Sequence, residues 1–573
     1  MFLIKLMISY LLIFNILTEI PKDKTLFISP VKIPLSLSAN FGELRPDHFH
    51  SGIDIKTQGV TGKEVVATAS GYIYRISISP GGFGKALYLR HPSGYSTVYC
   101  HLDRFIPEVE EYIVNQQYEK KNYTITVFPP KDKFQFKQGD IIAYSGNTGS
   151  SSGPHLHYEI RKSESETPVN PLLFDFGTGD DIVPVIENFT VYPATKNTLI
   201  NGQKNIQKLT VTGGHGNYFL PSGSELRISG PAGFGIKAYD LLNDSYNKCA
   251  VYEIEMKVDI VSLFRYVMDE FSFSETRYIN SHIDYETYIK ERTRYQRTHI
   301  LPNDKLSVYQ DVVNRGIFNF NEDKTYHVEI ILSDIHNNRS TLSFNVKGMP
   351  QESHKVADYP DNSQHIMPYN RSNRFNNEDI SLAFPSGSLY DTLYFKYKRS
   401  SGTEDMYSDI HHIHDRYTPV HKAYTLSIKP SVIPEGKESK LLIVQLSDDL
   451  QKSALGSTFN DGVLTARPSS FGMFCIGIDT VPPVISANRL TPDIDLSEKK
   501  EIRIRIHDDL SGINTYEPII DGSWALFEFD QKNNVLIYKF DPERITKGTK
   551  HNLTLTVSDN VGNTSFYNCD FVW

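Results

Sequence analysis

His155-Leu-His157 follows a stretch of small residues, Gly146-Asn-Thr-Gly-Ser-Ser-Ser-Gly-Pro, and opens a run that alternates as far as Arg161. A period of two puts His155, His157 and Glu159 on one face of a strand and Leu156, Tyr158 and Ile160 on the other. Two imidazoles side by side on a strand can share one metal ion, as two ligands or as a ligand and a base. The bland reading is a polar sheet edge. Upstream, His50-Ser-Gly-Ile-Asp54 adds an imidazole and a carboxylate, with Gly52 between them to let the backbone bend. A hydrolytic zinc site takes three protein ligands, usually His with Asp or Glu, and leaves one position open. His50, Asp54 and one histidine of the later pair complete such a set. The two halves lie far apart in the chain, so a folded domain must bring them together.

Three motifs in order, His50-x-Gly-x-Asp54, Tyr99-Cys-His101-Leu, and Gly-x-Thr-Gly followed by His155-Leu-His157, resemble the LytM/lysostaphin-type zinc endopeptidases, peptidase family M23. Phe41-Gly-Glu-Leu-Arg45 and the stretch from Gly62 to Tyr74 are similar too, and the resemblance covers roughly residues 35–175. It implies one zinc ion per chain, held by His50, Asp54 and His157. It also implies that His101 and His155 are non-ligand histidines beside the metal, sharing proton transfer and oxyanion stabilisation. The chemistry suits the residue types, because zinc lowers the pKa of the water it holds from about 16 to roughly 7 and a neutral histidine can take up a proton. Arg45 is a candidate to bind a substrate carboxylate bidentately, with a structural salt bridge as the alternative. His48 reads as a rim residue and His91, just before a Pro-Ser-Gly turn, as structural.

The elements that must position these groups are short β-runs punctuated by glycine: Glu64–Ala69, Gly71–Ile76, Lys85–His91 and Tyr95–His101, an antiparallel pattern. Cys100 is expected on the strand face opposite His101, toward the core, as a buried thiol. Between His101 and Gly139 the chain is longer than in compact relatives. Ile106–Tyr118, with Pro107 in its first turn, predicts a helix, and this insertion is a candidate wall of the substrate groove.

The remainder is β-rich. Aromatic residues make up 12% of the 573 residues, 34 Tyr and 32 Phe, which favours strands. A net charge of −9 with interspersed signs gives no basic patch for nucleic acid. The four cysteines, Cys100, Cys249, Cys475 and Cys569, form no Cys-x-x-Cys and exclude a thiolate zinc site by spacing, while their pairing is not deducible. Residues 1–20 carry one lysine and an apolar run of signal-peptide length, short for a membrane span, without a good cleavage motif. They are read as a signal peptide or an N-terminal anchor, so the chain is expected to be exported to the periplasm or cell envelope.

Beyond residue 180 there is an internal repeat. Asp181–Ile186 resembles Asp479–Ile485, Gly235–Asp240 parallels Ile502–Asp508, and Tyr326–Asp334 with Asn338 parallels His551–Asp559 with Asn563. The expected organisation is a peptidase domain over 21–180, an Ig-like β-sandwich over 181–348 with an insertion near Lys257–Gly316, a β-rich segment over 349–478, and an Ig-like sandwich over 479–573. In the third segment, the start and Asp361–Asn377 read as linker and loop, and Ser381–Phe384 and Leu442–Leu446 as strands. Asp409-Ile-His-His-Ile-His-Asp415 is a second candidate metal-binding run, with a solvated loop as the alternative.

The fold class is therefore mainly β, an antiparallel metallopeptidase domain followed by β-sandwich modules. The expected function is zinc-dependent cleavage of peptide cross-links in bacterial peptidoglycan, with the C-terminal modules holding the wall or an envelope protein partner. Two alternatives are a non-catalytic scaffold that activates other wall hydrolases, and a peptidase acting on protein substrates.

Overall fold

The computed structural model describes residues 23–243, 245–350 and 365–573. The signal or anchor segment over 1–20 lies outside the described residues. Among them no helix is long and apolar enough to cross a membrane.

The first domain is built on a nine-stranded sheet. Its centre brings the motif strands side by side: Ile53–Lys56 pairs antiparallel with His155–Lys162, which pairs on its other edge with Tyr95–Leu102. The register sets His157 opposite Asp54 on one side and opposite Cys100 on the other. Alternation then sorts the side chains as predicted. Leu156, Tyr158 and Ile160 are fully buried in one core with Ile53, Ile55 and Tyr99. Each such side chain contributes about 1.5–3 kcal/mol of burial, and a one-residue slip would turn all of them to the wrong face. Position is thus fixed on the apolar face and read out on the polar one.

The predicted helix spans Pro107–Lys120, with Pro107 at its first turn. Val109, Ile113 and Gln117 recur at four-residue spacing on its buried stripe. It ends where Lys121 adopts a left-handed conformation, φ 49°.

The second module is a larger sheet in which Val185–Pro193, Leu226–Tyr239, Arg339–Gly348, Thr325–Ser333 and Glu253–Val258 are successive neighbours. Glu253–Val258 and Val261–Val267 form a hairpin of this sheet, so the expected insertion starts at Met268 rather than at Lys257. From there short helices, Ile279–His282 and Tyr285–Glu291, replace strands. The core of this module includes Phe41 and Phe49 of the first domain.

Residues 365–479 hold two five-stranded sheets around a separate core. Ile380–Phe384 and Leu441–Leu446 are strands, as read from the sequence. The stretch read as loop before Asn377 instead forms strands at His365–Met367 and Asn373–Asn376, where Met367 reaches the core. The last module is a sandwich of a four-stranded and a five-stranded sheet with one core between them. All four cysteines are free and buried.

Candidate active site

His50, Asp54 and His157 converge from two adjacent strand ends. His50 Nε2 lies 3.0 Å from Asp54 Oδ1 and 3.0 Å from His157 Nδ1, and His157 Nδ1 lies 2.9 Å from the same carboxylate oxygen. Gly52 permits this, for a reason other than a bend. A Cβ there would stand 2.3 Å from the Tyr158 carbonyl oxygen, so only glycine lets the His50–Asp54 segment lie against the histidine strand.

The outer nitrogens of the rings define what the inner ones can do. His50 Nδ1 donates to the Asn40 carbonyl at 2.7 Å, and His157 Nε2 donates to Glu159 Oε1 at 2.9 Å. In the neutral rings the protons are spent on these bonds, which leaves three acceptors, two nitrogen lone pairs and a carboxylate oxygen, with no proton among them. A cation satisfies that set, and two imidazoles with a carboxylate are ligands that zinc takes. Without one, the site relieves the crowding by protonation: burial opposes a charge on His157, but its bonds to Asp54 and Glu159 prevail and hold it up to about 9. Burial pushes His50 the other way, below its ordinary value.

A second layer holds the donors. Glu159 is fully buried and accepts from Ser51 Oγ at 2.6 Å and Arg161 Nε at 2.6 Å. Burial would raise its pKa, yet Arg161 and His157 hold it down at about 2, so it stays a carboxylate. Phe83 stacks on the His157 ring at 5.3 Å. Arg45 turns to Asp54 Oδ2 at 3.2 Å and to Glu43 at 3.0 Å. Nothing in the three motifs marks Glu159 as His157's partner; the strand alternation was the signal that could have found it.

His101 and His155 stand beside the triad, with ring centroids 4.8 Å apart. His101 Nδ1 donates to the Thr148 carbonyl at 2.9 Å and His155 Nδ1 to the Gly153 carbonyl at 2.8 Å, so each Nε2 keeps its lone pair. His155 Nε2 is 3.5 Å from Asp54 Oδ1. Burial and the neighbouring histidines push His101 down to about 3, which keeps it neutral. His101 has φ 59°, a left-handed conformation uncommon outside glycine. Cys100 is buried as expected but on the other face: it pairs with His157 across the strands and packs with Ala86, Tyr88 and Val98. The turn at His101 breaks the alternation that placed Cys100 opposite it. Burial keeps that thiol protonated, well above its usual range.

The other candidate residues have ordinary partners. His48 is an exposed neighbour of Asp47, and His91 is buried between Ser70 and Thr97. His411, His412 and His414 bond separately to Tyr397, Ser400 and Thr418. The described residues of that run do not converge on a common point.

Both flanking modules reach the site. On one side, Asn40 exchanges two hydrogen bonds with Ala250, and Phe49 N–H donates to Thr276 Oγ1 at 2.8 Å. On the other, Lys85 pairs with Glu528 at 3.1 Å, and Lys532 Nζ donates to the carbonyls of Asn147 and, at 2.9 Å, Ser151 in the loop that delivers His155. The inserted helix faces this last module, with Tyr118 against Trp524 and Asn115 accepting from Arg544.

Residues 48–118 and 127–171 match the profile of peptidase family M23, and residues 364–479 match that of a Zu5-like domain. An uncharacterized metalloprotease of Haemophilus influenzae is 34% identical over 131 residues, 23% of this chain and 21% of that protein. The DD-carboxypeptidase/endopeptidase Mpg of Neisseria gonorrhoeae is 32% identical over 123 residues, 22% of either chain. The chain thus spans about a fifth of the length of these two relatives. Lipoprotein NlpD of Yersinia enterocolitica is 30% identical over 117 residues, 20% of this chain and 93% of that protein. Among solved structures, the catalytic domain of the M23 protein EnpA from Enterococcus faecalis aligns with 26% of this chain and 98% of its own, at 24% identity and a TM-score of 0.19. With its mainly β fold and its His-Asp-His cluster within the matched residues, the chain belongs to peptidase family M23.

Proposed function

We propose that this protein is a zinc-dependent endopeptidase that hydrolyses peptide cross-links of bacterial peptidoglycan, exported to the cell envelope. The observation that carries the reading is the triad of His50, Asp54 and His157, three acceptors within 3.0 Å of one another with every outward proton already committed. These residues would hold the zinc. When bound, it supplies a Lewis acid for the amide carbonyl and lowers the pKa of water to about 7. Relatives that share the domain include a DD-carboxypeptidase/endopeptidase, which supports a cell-wall peptide as substrate.

The remaining steps belong to the chain. Glu159, kept ionised by Arg161, fixes the tautomer and orientation of His157. Arg45 holds Asp54 through its second oxygen, which supports the salt-bridge alternative and a positioning role. His155 takes the proton at Nε2, where the Asp54 carboxylate stabilises the imidazolium, and returns it to the leaving amine. His101, held neutral with its proton on Nδ1, offers its Nε2 lone pair as a second acceptor for a proton of the attacking water.

The test is a mass-spectrometric digest of purified peptidoglycan by residues 21–573, run with zinc, with a chelator, and with His155→Ala. Cross-linked dimers should become monomers only in the zinc sample of the unaltered chain, and the masses identify the bond. A zinc-loaded protein that leaves every muropeptide intact would overturn the reading. His155→Ala should lower the rate by a factor of about 100 or more while zinc content stays unchanged.

A further inference from the structure

Three carboxylates meet where the first domain hands over to the second module. Asp180 lies in the connection between them, Asp240 follows the strand Leu226–Tyr239, and Asp334 follows the strand Thr325–Ser333. One oxygen from each lies within 4.8 Å of the others. Asp240 and Asp334 are each only 3% exposed. Asp240 Oδ1 is buried without a hydrogen-bond partner among the described residues, and so is Asp180 Oδ2. No described lysine or arginine forms an ion pair with any of the three. An unpaired carboxylate oxygen away from water is expensive, and here two of them share a site with a third carboxylate. Burial and the Asp334 and Asp180 charges push Asp240 up to about 8.

The same construction occurs again between the third segment and the last module. Asp479, Asp508 and Asp559 also bring one oxygen each within 4.8 Å. Asn338 Nδ2 donates to Asp334 Oδ2 at 2.7 Å and to the Asp180 carbonyl at 3.0 Å; Asn563 Nδ2 donates to Asp559 Oδ2 at 2.6 Å and to the Asp479 carbonyl at 3.1 Å. Ser340 Oγ donates to the Pro184 carbonyl as Ser565 Oγ does to Pro483. These bonds register the sequence repeat on Asp180, not on Asp181. Turn-capping alone accounts for Asp334 and Asp559, which accept backbone N–H bonds from the residues that follow. It does not account for Asp240, a member of the cluster whose Oδ1 is buried without a partner among the described residues.

We propose that Asp180, Asp240 and Asp334 form a binding site for a hard divalent cation of the calcium class, which ties the connection after the first domain to two strand ends of the second module. The donors are all oxygen, as calcium prefers, and calcium tolerates irregular coordination completed by water or backbone carbonyls. The site is separate from the His50 triad in ligands and in metal class: imidazole nitrogens suit zinc, and a cage of carboxylates does not select it.

The test is equilibrium dialysis of the full chain against radioactive calcium, with zinc present to fill the His50 site. At least one calcium ion per chain is expected. Asp240→Asn, which keeps the shape of the side chain, should lower that number by one while zinc content and the circular dichroism spectrum stay unchanged. Asp240 is preceded by Tyr239, so terbium bound in place of calcium should luminesce on tyrosine excitation, and calcium should quench that signal. This second readout uses the unaltered chain and does not depend on the folding of a variant. Absence of calcium binding at millimolar free ion would overturn the proposal, and so would a stoichiometry that Asp240→Asn leaves unchanged.

Discussion

The first domain is gripped on two sides by different means. Toward the second module the contact is apolar: Phe41 and Phe49, the residues that bracket the approach to His50, are buried with Phe271, Met268 and Tyr278 in a core that belongs mostly to that module. Toward the last module the contact is polar. Lys85, 2% exposed, pairs with Glu528, and Lys532 is bound to two loop carbonyls. Apolar burial is non-directional. A buried ion pair gains little net stability yet is costly to break by halves. The first side is therefore part of the construction of the site, because the segment that carries His50 folds inside another module's core. The second side holds a loop in register through a few directional bonds.

The largest effect is expected on the apolar side. Phe49 is 1% exposed, with its ring 5.7 Å from that of Phe271. Phe49→Ala should cost about 3–5 kcal/mol of stability, read from urea denaturation. It should also weaken zinc binding, because His50 is the next residue along the chain. If the variant loses stability but binds zinc as tightly as the unaltered chain, the second module is a neighbour of the site and not a part of it.

Next comes the ion pair. Glu528→Gln leaves Lys85 buried with a charge and no counter-charge, which should cost about 3 kcal/mol near neutral pH. Replacing both residues, Lys85→Met with Glu528→Leu, should restore most of that. The pH dependence has a definite sign. Burial would raise the Glu528 pKa, but Lys85 and Lys539 hold it down at about 2. A depressed carboxylate contributes stability above its unfolded pKa, about 4.3, and loses it as pH falls toward 2. The gap in stability between the unaltered chain and Glu528→Gln should therefore be full at pH 6 and shrink between roughly pH 4.3 and 2. A gap that stays constant over that window would show that Glu528 stabilises by packing and not by charge.

The same contrast marks what was legible in the sequence. Alternation along His155–Lys162 told which side chains face the core, because a strand fixes that locally and Leu156, Tyr158 and Ile160 have no other place to be buried. The helix from Pro107 was legible from its first residue. Cys100 was misplaced because alternation assumes an extended backbone throughout, and His101 turns left-handed. Phe41 and Phe49 read as part of the first domain because nothing local distinguishes a residue buried in its own core from one buried in a neighbour's. The partners of Lys85 and Lys532 lie hundreds of residues away, and a lysine between strand residues looks like any exposed lysine. The donor triad was legible because metal ligation demands particular residue types; its carboxylate support was legible only in part, since alternation set Glu159 on the face of His157 but a buried glutamate and an exposed one have the same letter.

The smallest effect is expected at Lys532, and it sharpens the comparison most. Its ammonium group donates to the carbonyls of Asn147 and Ser151. Thr148, between them, accepts from His101 Nδ1 through its carbonyl, and the same loop runs on to His155. The loop is also held from below: a Cβ at Gly149, φ +71°, would stand 2.4 Å from Gly84 N, so the backbones touch there and the loop has little room to drift inward. Lys532→Ala should therefore cost only about 1 kcal/mol of stability, leave zinc binding unchanged, and raise amide hydrogen exchange locally at residues 147–151. If the last module acts on the site through these bonds, the variant should also lower kcat, since His101 takes its orientation from the Thr148 carbonyl. If exchange rises and kcat does not move, the last module steadies the loop without tuning the chemistry, and the apolar side alone governs the site.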